Sequence, residues 1–443
     1  MDVSDLKTKL NYDMTGRAMY DLVGRLYPIC RSITGDGVRE TLRILGEHIP
    51  IEVHEVPSGT KVLDWEIPKE WNIRAAWIKD AAGQKVIDFA DHNLHVLNYS
   101  TPVRGRMSLE ELRPHLHTLP NQPTLIPYRT SYYKEAWGFC LTHMQLVSLA
   151  EGEYEVCIDS SLTDGSLTYG ECFLKGESDE EVLITAHVCH PSLANDNLSG
   201  VATATFLARY LSEPKHRYGY RILFIPGTIG AIAWLARNEA LLPRIKHGLV
   251  LAGLGNKGPL VYKQSREGEA YIDRAVVLAL QESGVPFEVR EFSPYGYDER
   301  QFCSPGFNLP VGRLSRTPHG EYPEYHTSAD NVDFVKAERL ADALQQLFRI
   351  MEIVEGNRTY INRFPKGEPQ LGRRGLYHEI GGAPDAQQRE MAMLWLLNLS
   401  DGSHNLIDIA ERSGLPFTLV SETAELLHDK GLLSETPEVR GER

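Results

Sequence analysis

The sequence predicts an α/β protein whose mixed, mainly parallel sheet is covered by helices on both faces. Strand and helix patterns alternate from Tyr154 onward, which is typical of parallel strands joined by crossover helices. The apolar run at 182–187 ends in a histidine and is followed by a turn-rich loop and an Ala/Leu-rich helix. The patterns predict strands at 155–160, 167–174, 182–187, 220–226 and 248–251, and helices at 198–211, 229–238, 270–283 and 335–355.

The residues before Tyr154 divide into two parts. Residues 12–49 read as two helices joined by a turn at 31–35, with Val38, Leu42 and Leu45 at helical spacing. From 51 to 125, short alternating segments are separated by Gly and Pro, which indicates a small β-rich domain inserted into the main one. The main domain would then comprise residues 1–50 and 126–356.

The carboxyl-terminal region has a different character. A connector is predicted at 357–382, followed by a unit at 383–443 with helices at 386–399, 406–413 and 418–430, an order that resembles a winged helix-turn-helix. Its third helix carries Glu422, Glu425 and Asp429, and residues 377–443 hold 5 Lys/Arg against 12 Asp/Glu. Because phosphate contacts supply most non-specific DNA affinity, we expect packing or homo-oligomerisation through this unit and no nucleic-acid partner. A transcription regulator is the weaker alternative.

Composition sets the outer limits. The chain has 443 residues, 42% of them hydrophobic, and a formal net charge of -14, which argues against nucleic-acid or anionic-membrane surfaces as partners. The six cysteines show no paired short spacing that would indicate a disulfide framework. No apolar run reaches the length of a membrane span, and residues 1–7 lack a signal-peptide pattern. We therefore expect a cytoplasmic protein with two or three domains.

Three residues carry the predicted chemistry. His187 ends a strand, Asp196 lies in the following loop, and His326 lies in the turn at 324–330. Two imidazoles and one carboxylate leave a fourth position for water, as a catalytic zinc ion requires. The alternatives are that His187 only terminates a strand, that Asp196 only caps a helix and that His326 is an ordinary turn residue. His190 could also replace His187 as a ligand if the loop turns inward.

The order histidine, loop, Asp-Asn-x-Ser-Gly and helix at 187–200 resembles the metal-binding segment of the co-catalytic zinc aminopeptidases, the M28 family. Over nearly the whole chain, the sequence is more similar to bacterial aminopeptidase-like proteins once grouped as domains of unknown function. That similarity is carried by segments at 31–35, 57–60, 64–65, 126–128, 130–133, 137–140, 189–191, 228–230, 297–299 and 325–328. The resemblance implies an M28-like fold with an inserted β-rich domain and a carboxyl-terminal winged helix. It also implies that Asp196 bridges two metals, with His187 and His326 each serving one of them.

The chain departs from the M28 pattern at two strand ends. Where that family has a pair of glutamates, one of them the general base, this chain has Gly227-Thr228. Where another acidic ligand is expected, it has Ala252-Gly253. We therefore expect at most one metal and an altered base. The missing base could be replaced by a loop carboxylate, for which the candidates are Asp298, Glu299, Glu321 and Glu324. At least two of these four would be ordinary solvated residues.

Substrate-binding residues are less sharply indicated. An arginine fork for a substrate carboxylate could come from Arg300 or Arg316, and a pocket could be lined by Tyr295, Tyr297 and Tyr325. Two classes of function follow. The first is a zinc-dependent, aminopeptidase-like hydrolase of amide bonds in small-molecule or short-peptide substrates. The second is a catalytically impaired binding or pathway-accessory protein that retains the peptidase fold.

Overall fold

The computed structural model of the chain describes residues 10–376 and 386–436. Predictions that fall on residues 1–7, on the end of the connector at 377–382 and on residues 437–443 lie outside these described residues. The chain divides into two compact units, residues 1–270 with 286–345 and residues 271–285 with 346–443, each taken within the described ranges.

The first unit is built on an eight-stranded mixed sheet, which confirms the predicted fold class. Its central strands are parallel, and antiparallel strands flank them. In spatial order, the strands are Glu52–Pro57, Ser166–Leu174, Gly219–Ile225, Glu181–His187, Ile245–Leu251, Val311–Arg316, Leu260–Lys263 and Phe287–Arg290.

The central strand Glu181–His187 is buried along its whole length and pairs in parallel with a neighbour on each side. Its near-continuous apolar run is what a strand covered on both faces requires. Because the carboxyl ends of parallel strands meet at one edge, His187 and Ile225 come together there as register partners. This edge carries the candidate site.

The first unit contains α-helices and shorter helical turns around the sheet. A six-residue π-helical turn, Ala194–Ser199, leads from the site loop into the buried helix Gly200–Leu211. The other α-helices are Tyr12–Leu26, Asp36–Leu45, Leu109–Leu112, His143–Ser148, Ile229–Arg237, Glu299–Phe302 and the beginning of Ala337–Gly356; the 3-10 turns are Asn93–His95, Arg113–His115, Glu239–Arg244 and Val332–Phe334.

The observed β-rich part differs from the boundaries of 51–125 expected from the sequence. Glu52–Pro57 joins the main sheet, whereas Glu153–Thr163 lies in the smaller sheet, because this strand pairs along nearly its whole length with Glu70–Lys79. In spatial order, the smaller sheet is Lys85–Asp88, Glu70–Lys79, Glu153–Thr163 and Val103–Ser108. Two-stranded pairs are Lys61–Val62 with Trp65–Glu66 and Leu116–His117 with Phe139–Cys140.

The second unit contains the end of helix Ala337–Gly356, further helices and a three-stranded antiparallel sheet. Its last helices in the chain are Ala386–Leu399, Leu406–Ser413 and Phe417–Asp429, and its strands, in spatial order, are Asp401–Asn405, Thr359–Asn362 and Leu433–Glu435. Thr359–Asn362 lies inside the stretch expected to be a connector. Helix Tyr271–Ser283 belongs to the same unit and contributes Arg274, whose guanidinium lies 2.7 Å from Asp408 and 2.6 Å from Glu411. The remaining 3-10 turn of this unit is Leu371–Arg374.

Helix length and polarity decide whether a segment can cross a bilayer. Within residues 10–376 and 386–436, each helix is too short or too polar to do so.

Candidate active site

The loop after His187 is held in place by the carboxylate of Asp330. Asp330 Oδ1 accepts the backbone N–H of Asn195 at 2.6 Å, and its Oδ2 accepts the N–H of Asp196 at 3.0 Å. Burial raises the pKa of Asp330 to about 8, although these backbone donors act in the opposite direction. The two hydrogen bonds fix the direction in which the Asp196 side chain leaves the loop.

Asp196 lies between two histidines that are far apart in sequence. Its Oδ1 is 3.0 Å from His187 Nε2, and its Oδ2 is 3.0 Å from His326 Nε2. His326 has a positive φ of 55°, a backbone conformation uncommon for a residue other than glycine. Its carbonyl accepts the N–H of Tyr128 at 2.7 Å. The structure therefore brings together the three residues that were expected to hold a metal.

A third imidazole, that of His190, joins this cluster. Its ring centroid lies 4.8 Å from that of His187 and 5.3 Å from that of His326. The potential ligand atoms of His187, His190 and Asp196 all lie within 4.8 Å of one another. His190 Nδ1 is buried and has no hydrogen-bond partner among the described residues. Burial holds the pKa of His190 well below its usual range, although the nearby Asp196 carboxylate acts in the opposite direction.

Asp196 is ionised in this environment. Burial acts to raise its pKa, but the nearby His190 and the hydrogen bonds from His187 and His326 outweigh that effect and hold the pKa well below its usual range. A buried carboxylate surrounded by imidazoles supplies both the charge and the nitrogen donors that zinc prefers.

The spacing of these donors also fits a metal. Zinc bonds to nitrogen and oxygen are about 2.0–2.2 Å long, which places two donors of one tetrahedral ion roughly 3.3 Å apart. The 3.0 Å separation of His187 Nε2 and Asp196 Oδ1 is close to that value. The other ring nitrogen of His187 lies 3.3 Å from Asn197 Nδ2, which makes a shorter hydrogen bond of 2.8 Å to the Leu251 carbonyl. His190 Nδ1, which has no hydrogen-bond partner among the described residues, is an alternative nitrogen donor beside them.

An aromatic ring lies against Gly227, the residue at which the M28 resemblance implies a glutamate. A Cβ atom built on Gly227 would lie 2.1 Å from Tyr297 Cε1, far inside van der Waals contact. The Tyr297 hydroxyl donates to the Gly227 carbonyl at 3.0 Å and lies 3.5 Å from Cys189 Sγ. Its ring makes an edge contact with His187 at 4.6 Å. Tyr297 therefore packs against the site from the side where the M28 pattern places a carboxylate.

The neighbouring carboxyl groups of Asp298 and Glu299 are both fully buried but differ in the polar and charged groups around them. Neither oxygen of Asp298 has a hydrogen-bond partner in the described chain, and burial raises its pKa to about 7. Glu299 instead lies 2.9 Å from Lys263 and 3.5 Å from Arg313. Burial would raise the pKa of Glu299, but these two cations outweigh it and the pKa is lowered. The two neighbouring acids therefore have pKa values that are shifted in opposite directions.

The other residues proposed from the sequence are placed differently. Arg316 is buried and pairs with Asp342 and with the carbonyls of Leu254 and Gly258, whereas Arg300 is exposed. Tyr325 stacks on His326 at 3.9 Å and is partly buried, and Tyr295 is exposed. Glu321 is an exposed residue paired with Arg290, and Glu324 lines a separate cavity.

Sequence reasoning assigned no role to three residues that support the cluster. Asp330 orders the loop, and the Tyr128 ring makes edge contacts with His190 at 5.1 Å and with His326 at 4.9 Å. Arg31 is fully buried, and its Nε donates to the His190 carbonyl at 2.9 Å. Tyr128 and Arg31 lie in segments already singled out by the resemblance, which was the available signal.

The sheet, the strand-end histidine and the clustered carboxylate define the zinc-aminopeptidase fold. A zinc aminopeptidase from Bacillus subtilis superposes with a TM-score of 0.56 at 14% identity, over 76% of this chain and 95% of that one. A family model described as a domain of unknown function, DUF4910, matches residues 20–357, and a winged helix-turn-helix model matches residues 358–435. The chain belongs to the DUF4910 family.

Two similar proteins come from Clostridium acetobutylicum. One is described as a candidate polysaccharide biosynthesis protein with an aminopeptidase-like domain and is 52% identical over 423 residues, covering 96% of this chain and 97% of the relative. The other is a crystal structure of a candidate peptidase, which has a TM-score of 0.93 at 49% identity and covers 98% of this chain and 100% of that chain. These comparisons confirm the aminopeptidase-like resemblance.

The contact between Gly227 and Tyr297 predicts a stability effect. Gly227→Ala should lower the free energy of unfolding by about 1–3 kcal/mol, because the added methyl group overlaps the tyrosine ring. Chemical denaturation followed by tryptophan fluorescence measures the change. The matched control is Gly105→Ala in strand Val103–Ser108, where an added Cβ meets nothing within 4 Å.

In the double variant Gly227→Ala with Tyr297→Ala, the loss of unfolding free energy should be smaller than the sum of the losses in the two single variants. The reason is that removal of the tyrosine ring also removes its overlap with the added methyl group. Equal stability of the Gly227→Ala and Gly105→Ala proteins would contradict the contact.

Proposed function

We propose that this protein is a zinc-dependent hydrolase of amide bonds in small aminoacyl or short-peptide substrates, with one metal and an altered general base. The observation that carries the proposal is the Asp196 carboxylate, whose two oxygens each face a histidine nitrogen at 3.0 Å. Beside it lies the Nδ1 of His190, which has no hydrogen-bond partner in the described part of the chain. When bound there by His187, Asp196 and His326, zinc would act as a Lewis acid that polarises the substrate carbonyl.

A single metal follows from the charge of the cluster. Among the described residues, Asp196 is the one carboxylate in the donor group, and the imidazoles beside it add no negative charge when neutral. Two zinc ions would bring four positive charges to a buried site. The chain has Gly227 and Ala252-Gly253 where the M28 pattern supplies further carboxylates. His190 would be an alternative nitrogen donor, so that three protein ligands leave the fourth position of the ion open to water.

Asp298 is the residue that we assign as the general base. A base works best when its pKa lies near the operating pH, and burial raises the pKa of Asp298 to about 7. Neither of its oxygens has a hydrogen-bond partner among the described residues, which supports its assignment as the acceptor of the proton from the attacking water. Because Asp298 is on a loop and not at a strand end, we expect slow turnover of simple aminoacyl amides.

A catalytically impaired binding or pathway-accessory protein is the second candidate. Tyr297 occupies the place of the usual glutamate, and its contact with Gly227 leaves no room for that side chain. The Clostridium relative described as a candidate polysaccharide biosynthesis protein supports a role in a biosynthetic pathway. The two candidates differ in whether Asp298 is needed for turnover.

The first test concerns metal content. Protein equilibrated with zinc and then dialysed should retain about one equivalent per chain by elemental analysis. Asp196→Ala should retain almost none and His326→Ala clearly less, because each removes a donor. The exposed His428→Ala is the matched control and should retain the parent amount. Two equivalents per chain, or unchanged zinc in both donor variants, would refute the single-metal site.

The second test concerns the base. The value of kcat/KM for aminoacyl amides should rise with pH as Asp298 ionises, with a midpoint at or below about 7, because a nearby cation favours the carboxylate form. Asp298→Asn should lower kcat/KM by about a hundred- to ten-thousand-fold and remove this rise.

Glu321→Gln is the control, since Glu321 is exposed and paired with Arg290, and its pH profile should match the parent. If no aminoacyl amide or short peptide is turned over by zinc-loaded parent protein, the accessory role is favoured. If turnover is brisk and Asp298→Asn leaves it unchanged, the base lies elsewhere.

For the carboxyl-terminal unit, we propose packing or homo-oligomerisation and no DNA reading. Helix Phe417–Asp429 carries Glu422, Glu425 and Asp429, all three of which are exposed, so the helix presents negative charge. A duplex would repel this face. Full-length protein at low micromolar concentration should show no salt-sensitive binding to double-stranded DNA by fluorescence anisotropy. Binding that weakens steeply between about 50 and 200 mM salt would contradict the proposal.

A further inference from the structure

A cavity of about 430 Å³ lies on the first unit, at the turn that leads to His326. Its volume is in the range of small-molecule sites. Its lining, taken over the described residues, includes none of the clustered histidines and not Asp196. The groups that matter for binding are Asn256, Lys257, Thr317, Glu324, Asp333 and Lys336.

Asn256 is a buried polar residue of this lining, with 2% of its surface exposed. Its Oδ1 accepts the N–H of Gly258 at 2.8 Å and the hydroxyl of Thr317 at 3.3 Å, which fixes the orientation of the amide. The amide nitrogen, Nδ2, is buried and has no hydrogen-bond partner in the part of the chain that the structure describes. A buried donor without a partner costs about 1–3 kcal/mol, so a ligand acceptor that meets it is stabilising.

Four charged side chains in the lining are not engaged in ion pairs. Within residues 10–376 and 386–436, Lys257, Glu324 and Asp333 have no salt bridge, and Lys336 Nζ donates to the Asp333 backbone carbonyl and not to a carboxylate. Two ammonium groups and two carboxylates therefore line one cavity. A ligand with a single charge would meet two groups of its own sign, whereas a ligand with both charges can pair with each kind.

Aromatic side chains form the apolar part of the wall. Tyr322 and Phe334 stack with their centroids 5.6 Å apart, and both line the cavity. The Tyr322 hydroxyl accepts a hydrogen bond from Asn195 Nδ2 at 3.2 Å. This contact links the wall of the cavity to the residue that precedes Asp196.

We propose that this cavity is a binding site for a small zwitterionic ligand, a free amino acid with an apolar side chain. The ligand carboxylate pairs with Lys257 and Lys336 and accepts from Asn256 Nδ2. The ligand ammonium pairs with Glu324 and Asp333, and the side chain packs against Phe334. The site is independent of the proposed hydrolase activity, since no metal donor contributes to its lining within the described ranges.

The test is isothermal titration of the full chain with compounds that contain no amide bond. L-Phenylalanine carries both charges, 3-phenylpropanoate lacks the ammonium, 2-phenylethylamine lacks the carboxylate, and glucose is a neutral polyol. L-Phenylalanine should bind at least about tenfold more tightly than each of the others, because charged hydrogen bonds are lost in each comparison. The proposal would be overturned if a singly charged compound bound as tightly as L-phenylalanine, or if glucose bound more tightly than L-phenylalanine.

Variants locate the ligand. Lys257→Ala with Lys336→Ala should weaken L-phenylalanine about tenfold or more and leave 2-phenylethylamine unchanged, whereas Asp333→Asn should weaken both. Asn256→Asp keeps the side-chain shape and replaces the donor with an acceptor, so it should also weaken L-phenylalanine. The matched control is the exposed Lys175→Ala.

Zinc-free His187→Ala protein separates this site from the candidate metal centre. Unchanged binding of L-phenylalanine in this variant is expected whether or not the hydrolase proposal holds. Binding that is lost in His187→Ala but kept in the lysine double variant would place the ligand at the histidine cluster and overturn the inference.

Discussion

The candidate site depends on the two hydrogen bonds that Asp330 accepts from the backbone of Asn195 and Asp196. Loop residues rarely hold a carboxylate rigidly, because their backbone has few fixed partners. Here a fully buried carboxylate, 134 residues further along the chain, fixes two successive N–H groups of the loop. Asp196 is thereby directed between His187, which ends a central strand, and His326, which lies a few residues before Asp330.

The second constraint on the site comes from a buried ion cluster. Glu299 pairs with Lys263 and Arg313, and its second oxygen accepts the backbone N–H of Tyr297 at 3.0 Å. Lys263 also donates to the carbonyl of Tyr295 at 3.0 Å. A buried ion pair gives little net stability, but removal of one partner is costly, so the cluster defines one loop conformation. That conformation places the Tyr297 ring against Gly227.

The sequence predicted the parts of the fold that depend on local patterns. The buried strand ending at His187 was recognisable because a fully covered parallel strand needs an uninterrupted apolar run. The position of Tyr297 was not, because its contact joins residues 70 positions apart in the chain. The β-rich boundaries were also missed, since an alternating pattern at 153–163 does not reveal which sheet the strand joins. His190 was considered only as a substitute for His187, and adjacency in sequence could not show that both rings face Asp196.

Asp298 and Glu299 show how burial alone does not determine the chemistry of a carboxylate. Both side chains are fully buried and are consecutive in the chain, yet Glu299 is compensated by two cations and Asp298 has no hydrogen-bond partner in the described ranges. An ionised carboxylate without a partner is expensive to bury, and the pKa of about 7 lets Asp298 reduce that cost by taking up a proton. Active sites often pair acids whose environments move their pKa values in opposite directions, and this contrast is the basis on which we propose Asp298 as the proton-transfer group. Glu299 accepts the backbone N–H of Tyr297 and so fixes the backbone on both sides of Asp298. The ion-paired Glu299 therefore holds Asp298 in position.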